Sequence, residues 1–170
     1  MIIVVTGTPG SGKTYFSNLL GKRLKIEVLH VTDYVKKYAL YDRIEDNEYI
    51  VRPMKLKKRL EKEISRKKDL IIEGHILSEF RLDNARVLVK REHLNKIRSR
   101  LEKRGYSKEK ITNNLIDEAI DYCGLNAFMH YKNVYEFIRP NYNEIIEFLK
   151  GKRKNRFIEL SDELIKEKII

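Results

Sequence analysis

The sequence contains no tryptophan, no glutamine, one cysteine and three prolines among 170 residues. With Cys123 alone, no intramolecular disulfide can form and a cysteine-based metal cluster is excluded. Its setting, Ala119-Ile120-Asp121-Tyr122-Cys123, suits a small buried side chain better than a nucleophile. No apolar run approaches the roughly 20 residues that a membrane-spanning helix needs, and Ile2-Ile3-Val4-Val5 is too short for a signal-peptide core. The expectation is a soluble, cytoplasmic protein with no membrane partner. Repeats, low-complexity tracts and Pro/Gly/Ser linkers are also missing, so residues 1–170 read as a single domain.

Charge, by contrast, is abundant. Lys and Arg number 36 against 25 Asp and Glu, a formal net charge of +11. Two clusters carry much of the excess: Lys55, Lys57, Lys58, Arg59, Lys62, Arg66, Lys67 and Lys68, then Lys150, Lys152, Arg153, Lys154 and Arg156. Such clusters either draw the protein to RNA or another anionic assembly, or belong to an ion-pair-rich surface of the thermophile type. The lack of glutamine beside plentiful Lys, Glu and Ile favours the second reading for much of the charge, and rRNA proximity stays open for the rest.

Short β-rich runs alternate with helical patterns, the signature of an α/β fold with a parallel sheet. Strands are expected at Ile2–Thr6, Glu27–Val31, Asp69–Glu73, Arg86–Lys90 and Asn133–Ile138, mostly as continuous apolar runs covered on both faces. Helices are expected at Lys13–Leu24, after a Thr32-Asp33 cap, at Lys55–Lys67, at Glu92–Arg104, after a Ser107 cap, and at Asn143–Lys150 before Gly151.

Between the first strand and the first helix lies Gly7-Thr8-Pro9-Gly10-Ser11-Gly12-Lys13-Thr14, which fits the phosphate-loop pattern in its required context. Its glycines let the backbone wrap round phosphates with N–H groups pointing inward, and the helix N-terminus adds partial positive charge. Lys13 then neutralises the β and γ phosphates of ATP, Thr14 offers a hydroxyl to Mg²⁺, and Tyr15 contributes backbone contacts. Glu73, at the end of the third strand, stands where a Mg²⁺-linked carboxylate is expected, or is an ordinary strand-end acid. His75, two residues on, either orients or deprotonates a water or is a polar loop residue. Arg104 continues the stripe of Leu94, Ile97 and Leu101 before Gly105, so it is either a helix-end charge or aims at a ligand phosphate. Arg91 follows the fourth strand at the same end of the sheet. Tyr34, Tyr38, Tyr41 and Tyr49 either line a nucleotide pocket or mark the edge of the core. His30, His93 and His130 share no metal-site spacing and read as ordinary residues.

Taken in order, these features resemble the atypical, ribosome-associated adenylate kinases (the isoenzyme-six type and its archaeal relatives). The resemblance is carried by the loop with its Thr8-Pro9 pair, Val31-Thr32-Asp33 followed by Leu40-Tyr41-Asp42, Glu73-Gly74-His75, Arg91, Arg100-Leu101-Glu102-Lys103-Arg104-Gly105-Tyr106, and Lys110-Ile111-Thr112-Asn113-Asn114. It implies a P-loop NTPase fold of the nucleoside monophosphate kinase type, with a five-stranded parallel sheet covered by helices and a short lid. It implies transfer of the ATP γ-phosphoryl to AMP or another nucleoside monophosphate, ATPase activity, and a part in late maturation of the small (30S) ribosomal subunit. The alternative is an ATP-driven assembly factor that binds uS11 on the pre-small-subunit particle with little kinase turnover. On this sequence the resemblance assigns ATP phosphates to Gly10, Gly12, Lys13, Thr14 and Tyr15, with Arg104 reaching them from a lid at 103–113. It places the monophosphate region at 28–51, with Asp33 and Lys36 on the substrate. It puts Lys13, Glu73, His75 and Arg91 at the chemistry, Thr14 and Glu73 on Mg²⁺, and Arg139 near the adenine. The family pattern commonly has Asp where Glu73 stands and Arg where Lys36 stands, and the segment after Gly151 has no clear counterpart.

Overall fold

A computed structural model describes residues 1–45 and 48–169; the expected monophosphate region thus includes two positions, 46 and 47, outside the described residues. Five strands, β1 (Ile2–Thr6), β2 (Val28–His30), β5 (Leu70–Glu73), β6 (Ala85–Lys90) and β7 (Val134–Phe137), form one sheet in the order β2-β5-β1-β6-β7. Every pairing in it is parallel. This is the expected fold, with strand ends shifted by at most one residue. The shift at β2 matters, because Val31 already opens a helix, α2 (Val31–Lys37). The expected Thr32-Asp33 cap is therefore absent. His30 occupies the cap position with extended backbone, and its side chain caps nothing because the ring is engaged elsewhere.

Period-2 alternation along β1 divides the core into two layers. Ile2 and Val4 pack with Leu56 and Leu60 of α3 (Pro53–Ile64), with α2, and with Cys123 and Ala127 of α6 (Tyr122–His130). Ile3 and Val5 pack on the other side with Phe16 and Leu20 of α1 (Lys13–Leu24) and with Ile145, Phe148 and Leu149 of α7 (Tyr142–Leu149). A third cluster joins α4 (Leu94–Lys103), α5 (Lys108–Ala119) and Leu164 of α8 (Glu163–Lys166). Ser107 caps α5, its hydroxyl accepting from the Lys110 N–H at 3.2 Å, and Gly151 ends α7 at φ +75°, both as expected. Cys123 is buried as expected, and burial pushes its thiol pKa up to about 12. The sequence reading misses the antiparallel hairpin of β3 (Arg43–Glu45) and β4 (Glu48–Ile50), and the helices α6 and α8. It also misses the role of the segment after Gly151: Arg156 pairs alongside Tyr135 and covers the outer edge of β7.

One polar cluster lies inside this frame. Arg91, with 0% exposure, meets Glu118 at 3.1 Å, Asp121 at 2.8 Å and Glu136 at 3.2 Å, and donates to the Ile158 carbonyl at 2.7 Å. Two of its carboxylates each keep one oxygen, Asp121 Oδ2 and Glu136 Oε1, without a hydrogen-bond partner. Both oxygens point at the same place: a Cβ added to Gly124 would stand 2.3 Å and 2.1 Å from them. A single shared proton satisfies both. Burial and the neighbouring Asp121 carboxylate accordingly push Glu136 up to about 8, and burial raises Asp121 as well. The folded state thus holds a proton that the unfolded chain releases near the usual carboxylate value of about 4.3. Stability from this pair is complete below that value and is lost as pH rises toward 8. Thermal unfolding should therefore show a falling melting temperature across this window, and Glu136→Gln, whose amide supplies the missing hydrogen permanently, should flatten it.

Candidate active site

The carboxyl ends of β1, β2 and β5 converge on the phosphate loop. Gly7, Gly10 and Gly12 all take positive φ, and a Cβ at Gly7 would stand 2.4 Å from the Lys90 carbonyl oxygen. The loop is held from three directions. Ser11 N–H closes a turn on the Thr8 carbonyl at 3.0 Å. Thr8 Oγ1 donates to Glu118 Oε2 at 2.5 Å, joining the loop to the Arg91 cluster. Arg100 donates from Nη1 to the Gly10 carbonyl at 2.7 Å and from Nη2 to Glu92 at 3.1 Å. Lys13 lies 3.5 Å from the Thr8 carbonyl; burial lowers its pKa, and Glu73 opposes that shift. A desolvated ammonium of this kind gains most when an anion arrives.

Two cavities open over the loop. One, of about 720 Å³, is lined by Pro9, Asp33, Val35, Tyr49, Val51, Glu73, His75 and Ile76 among others. The second, of about 550 Å³, is lined by Gly10, Gly12, Tyr15 and Arg100. Lys13, Thr14, Asn18 and Arg104 line both, so the cavities meet at the lysine and the helix N-terminus. Thr14 and Glu73 offer the hard oxygen ligands that suit Mg²⁺, which binds through one or two protein oxygens plus substrate phosphates. No cluster of three or more His, Cys, Asp or Glu able to hold a metal by itself occurs among the described residues.

A family model described as an AAA domain matches residues 3–121. A protein of Methanocaldococcus jannaschii named "Putative adenylate kinase" is 36% identical over 164 residues, covering 92% of this chain and 90% of that protein. One of the same name from Pyrococcus abyssi is 34% identical, covering 97% and 96%. The chain belongs to this adenylate kinase-like family. Solved structures agree on the fold alone: a shikimate kinase from Acinetobacter baumannii is 14% identical with a TM-score of 0.60, covering 89% of this chain and 94% of that one. The Aquifex aeolicus shikimate kinase is 18% identical with a TM-score of 0.57, covering 89% and 97%.

Within this family member most of the expected residues come together. Gly10, Gly12, Lys13, Thr14, Tyr15, Asp33, Glu73, His75 and Arg104 all line one or both cavities. Three do not. Arg91 is a correction: it follows the strand end but turns inward, where the carboxylates of α5, α6 and β7 take up its charge. Arg139 is exposed beyond β7 and lines neither cavity, and Lys36 is exposed on α2. The tyrosine group splits: Tyr49 lines the larger cavity and packs tilted against Tyr41, ring centroids 4.8 Å apart, whereas Tyr34 is buried against Tyr38.

Sequence reasoning did not consider Asn18, gave Arg100 no role of its own within the Arg100–Tyr106 run, and read His30 as an ordinary residue. Arg100 lies one turn before Arg104 on a helix that already ends at the loop, a spacing that could have drawn attention to it. His30 Nδ1 lies 2.7 Å from Glu73 Oε2, a contact invisible across 43 residues. Arg91→Met should destabilise the fold by about 3–5 kcal/mol in urea titration, because three buried carboxyl groups lose their counterion. Arg104→Ala, at an exposed helix end, should stay within about 0.5 kcal/mol of the wild type.

Proposed function

We propose that this protein is a nucleoside monophosphate kinase of the adenylate kinase type, transferring the γ-phosphoryl of ATP to AMP or another nucleoside monophosphate, with slower ATP hydrolysis. The observation that supports it is the junction of two cavities at Lys13 and Thr14, which gives a donor and an acceptor separate chambers and one shared point of contact. In this reading ATP lies over Gly10, Gly12, Lys13, Thr14 and Tyr15, with its outer end toward Arg100. The acceptor occupies the 28–51 side, against Asp33, Val35, Tyr49 and Val51, and its phosphate oxygen attacks Pγ. The bond from Pγ to the β,γ-bridging oxygen breaks, and ADP leaves.

Little covalent work is asked of the protein; positioning and charge neutralisation supply the rate. Lys13 and Arg104 both line the junction, where their charges would neutralise the transferred group. Mg²⁺, when bound with the nucleotide through Thr14 and Glu73, supplies further neutralisation of phosphate charge. His75 sits on the acceptor side, placed to orient a water in the hydrolytic reaction. The 103–113 segment acts as a short lid. Gly105 takes φ +73° and a Cβ there would meet nothing within 4 Å, so the turn between α4 and α5 has room to adjust while the two helices stay packed through Ile97, Leu101, Ile111 and Leu115. Lys13→Ala should reduce phosphoryl transfer at least a hundredfold with the fold intact, as measured by coupled ADP production and circular dichroism. ATP turnover that no nucleoside monophosphate in a panel stimulates would overturn the kinase reading.

A second reading, an ATP-driven factor acting on the pre-small-subunit particle through uS11 and close to rRNA, has one surface in its favour. Helix α3 buries Leu56 and Leu60 and turns Lys55, Lys58 and Lys62 outward, and Lys152 and Lys154 are exposed after α7. Arg153 and Arg156 in that stretch are partly neutralised by Glu144. Pull-down of uS11 that rises with ATP and falls on reversing Lys55, Lys58 and Lys62 to Glu is the expected result; capture in no nucleotide state would remove this reading.

A further inference from the structure

Glu73 has one more methylene, and so one more rotatable bond, than an aspartate at the same strand end. A carboxylate that must meet a cation at a fixed place needs that freedom removed. Parallel pairing of β2 with β5 sets His30 directly beside Glu73, and the imidazole Nδ1 lies 2.7 Å from Glu73 Oε2. The other ring nitrogen, Nε2, lies 3.0 Å from the side-chain oxygen of Asn18. Asn18 is four residues beyond Thr14 on α1 and therefore shares its helical face. All four residues, Thr14, Asn18, His30 and Glu73, line the larger cavity. The imidazole is thus a strut between the helix that carries Thr14 and the strand that carries Glu73. Either orientation of the Asn18 amide closes the link, since a neutral ring accepts at Nε2 and a cationic ring donates there.

We propose that His30 is a positioning residue for Glu73: its Nδ1–H holds Oε2, leaves Oε1 to face the metal of the bound nucleotide, and ties that carboxylate to the α1 face bearing Thr14. The inference rests on the phosphotransfer reading of the site. It also accounts for how a glutamate serves where a shorter acid would have less freedom to lose. The bond is charge-assisted and sits in a half-buried setting, where such contacts are worth more than at the open surface.

Two substitutions separate the ends of the strut. The amide nitrogen of Asn stands close to where Nδ1 stands, so His30→Asn keeps the bond to Glu73. The amide nitrogen of Gln reaches the position of Nε2, so His30→Gln keeps only the link to Asn18. Titration calorimetry of ADP binding to the full chain, in Mg²⁺ and in EDTA, reads the effect without turnover. The affinity gain that Mg²⁺ brings should shrink about tenfold in H30Q and less than about threefold in H30N, with the EDTA affinities alike; tenfold corresponds to one charge-assisted hydrogen bond. A wild-type gain in H30Q, or equal losses in both variants, overturns the positioning role. Should H30Q fail to fold, Asn18→Ala tests the strut from its far end. A gain reduced about twofold or more supports the role, and an unreduced one overturns it. Absence of any ADP binding by the wild-type protein would instead strike the phosphotransfer reading itself, and this inference with it.

Discussion

A guanidinium shut away from water has to find its acceptors inside the protein, and Arg91 gathers them from four separate segments of the C-terminal part of the chain. Glu118 comes from α5, Asp121 from the start of α6, Glu136 from β7, and the Ile158 carbonyl from the C-terminal segment. Desolvating such a group is costly, and the arrangement persists because each partner also answers to something else. Glu118 accepts the Thr8 hydroxyl and the Glu92 N–H, so the charge that closes the core also fixes the phosphate loop. Asp121 caps α6 through Gly124 N–H, and Glu136 accepts from Ile158 N–H. Fold and site are held by the same set of bonds.

The two halves of the site differ in how firmly they are held. At the phosphate loop the backbone is anchored by charge-assisted contacts, a buried one to Glu118 of α5 and a part-buried one to Arg100 of α4. On the acceptor side, β3 is exposed along its length, and the hairpin is tied down by surface pairs such as Arg52 with Asp42. Exposed pairs contribute little to stability. The hairpin side of the larger cavity is therefore held more weakly than the loop that presents its N–H groups to phosphate. That division suits a site in which fixed N–H groups hold phosphate while the opposite wall yields.

Much of this could be read from the sequence, for definite reasons. The five strands are short apolar runs between helical patterns, and the phosphate loop has a fixed spacing and a required context, so sheet and loop both follow. The hairpin at 43–50 escaped because three-residue strands of mixed polarity carry no period. Helix α6 escaped because it begins after Asp121 in a left-handed conformation and contains Gly124. Arg91 was misplaced because adjacency to a strand end does not say which way a side chain turns, and its partners lie 27 to 67 residues further on. His30 was set aside because the reading looked for histidines spaced to bind metal, whereas this one acts through a strand-to-strand register that only the folded sheet creates.

Cys123 gains a different meaning from its surroundings. It lies in the core layer where α6 meets the sheet, with its thiol held protonated at ordinary pH. A protonated, enclosed thiol reacts only when its cover lifts. Because it is the only sulfhydryl in the chain, any thiol modification of the protein reports one event, the exposure of this site in the layer between α6 and the sheet. The protein thus contains its own chemical clock for local opening, set beside the cavity wall and read without adding a label to the site.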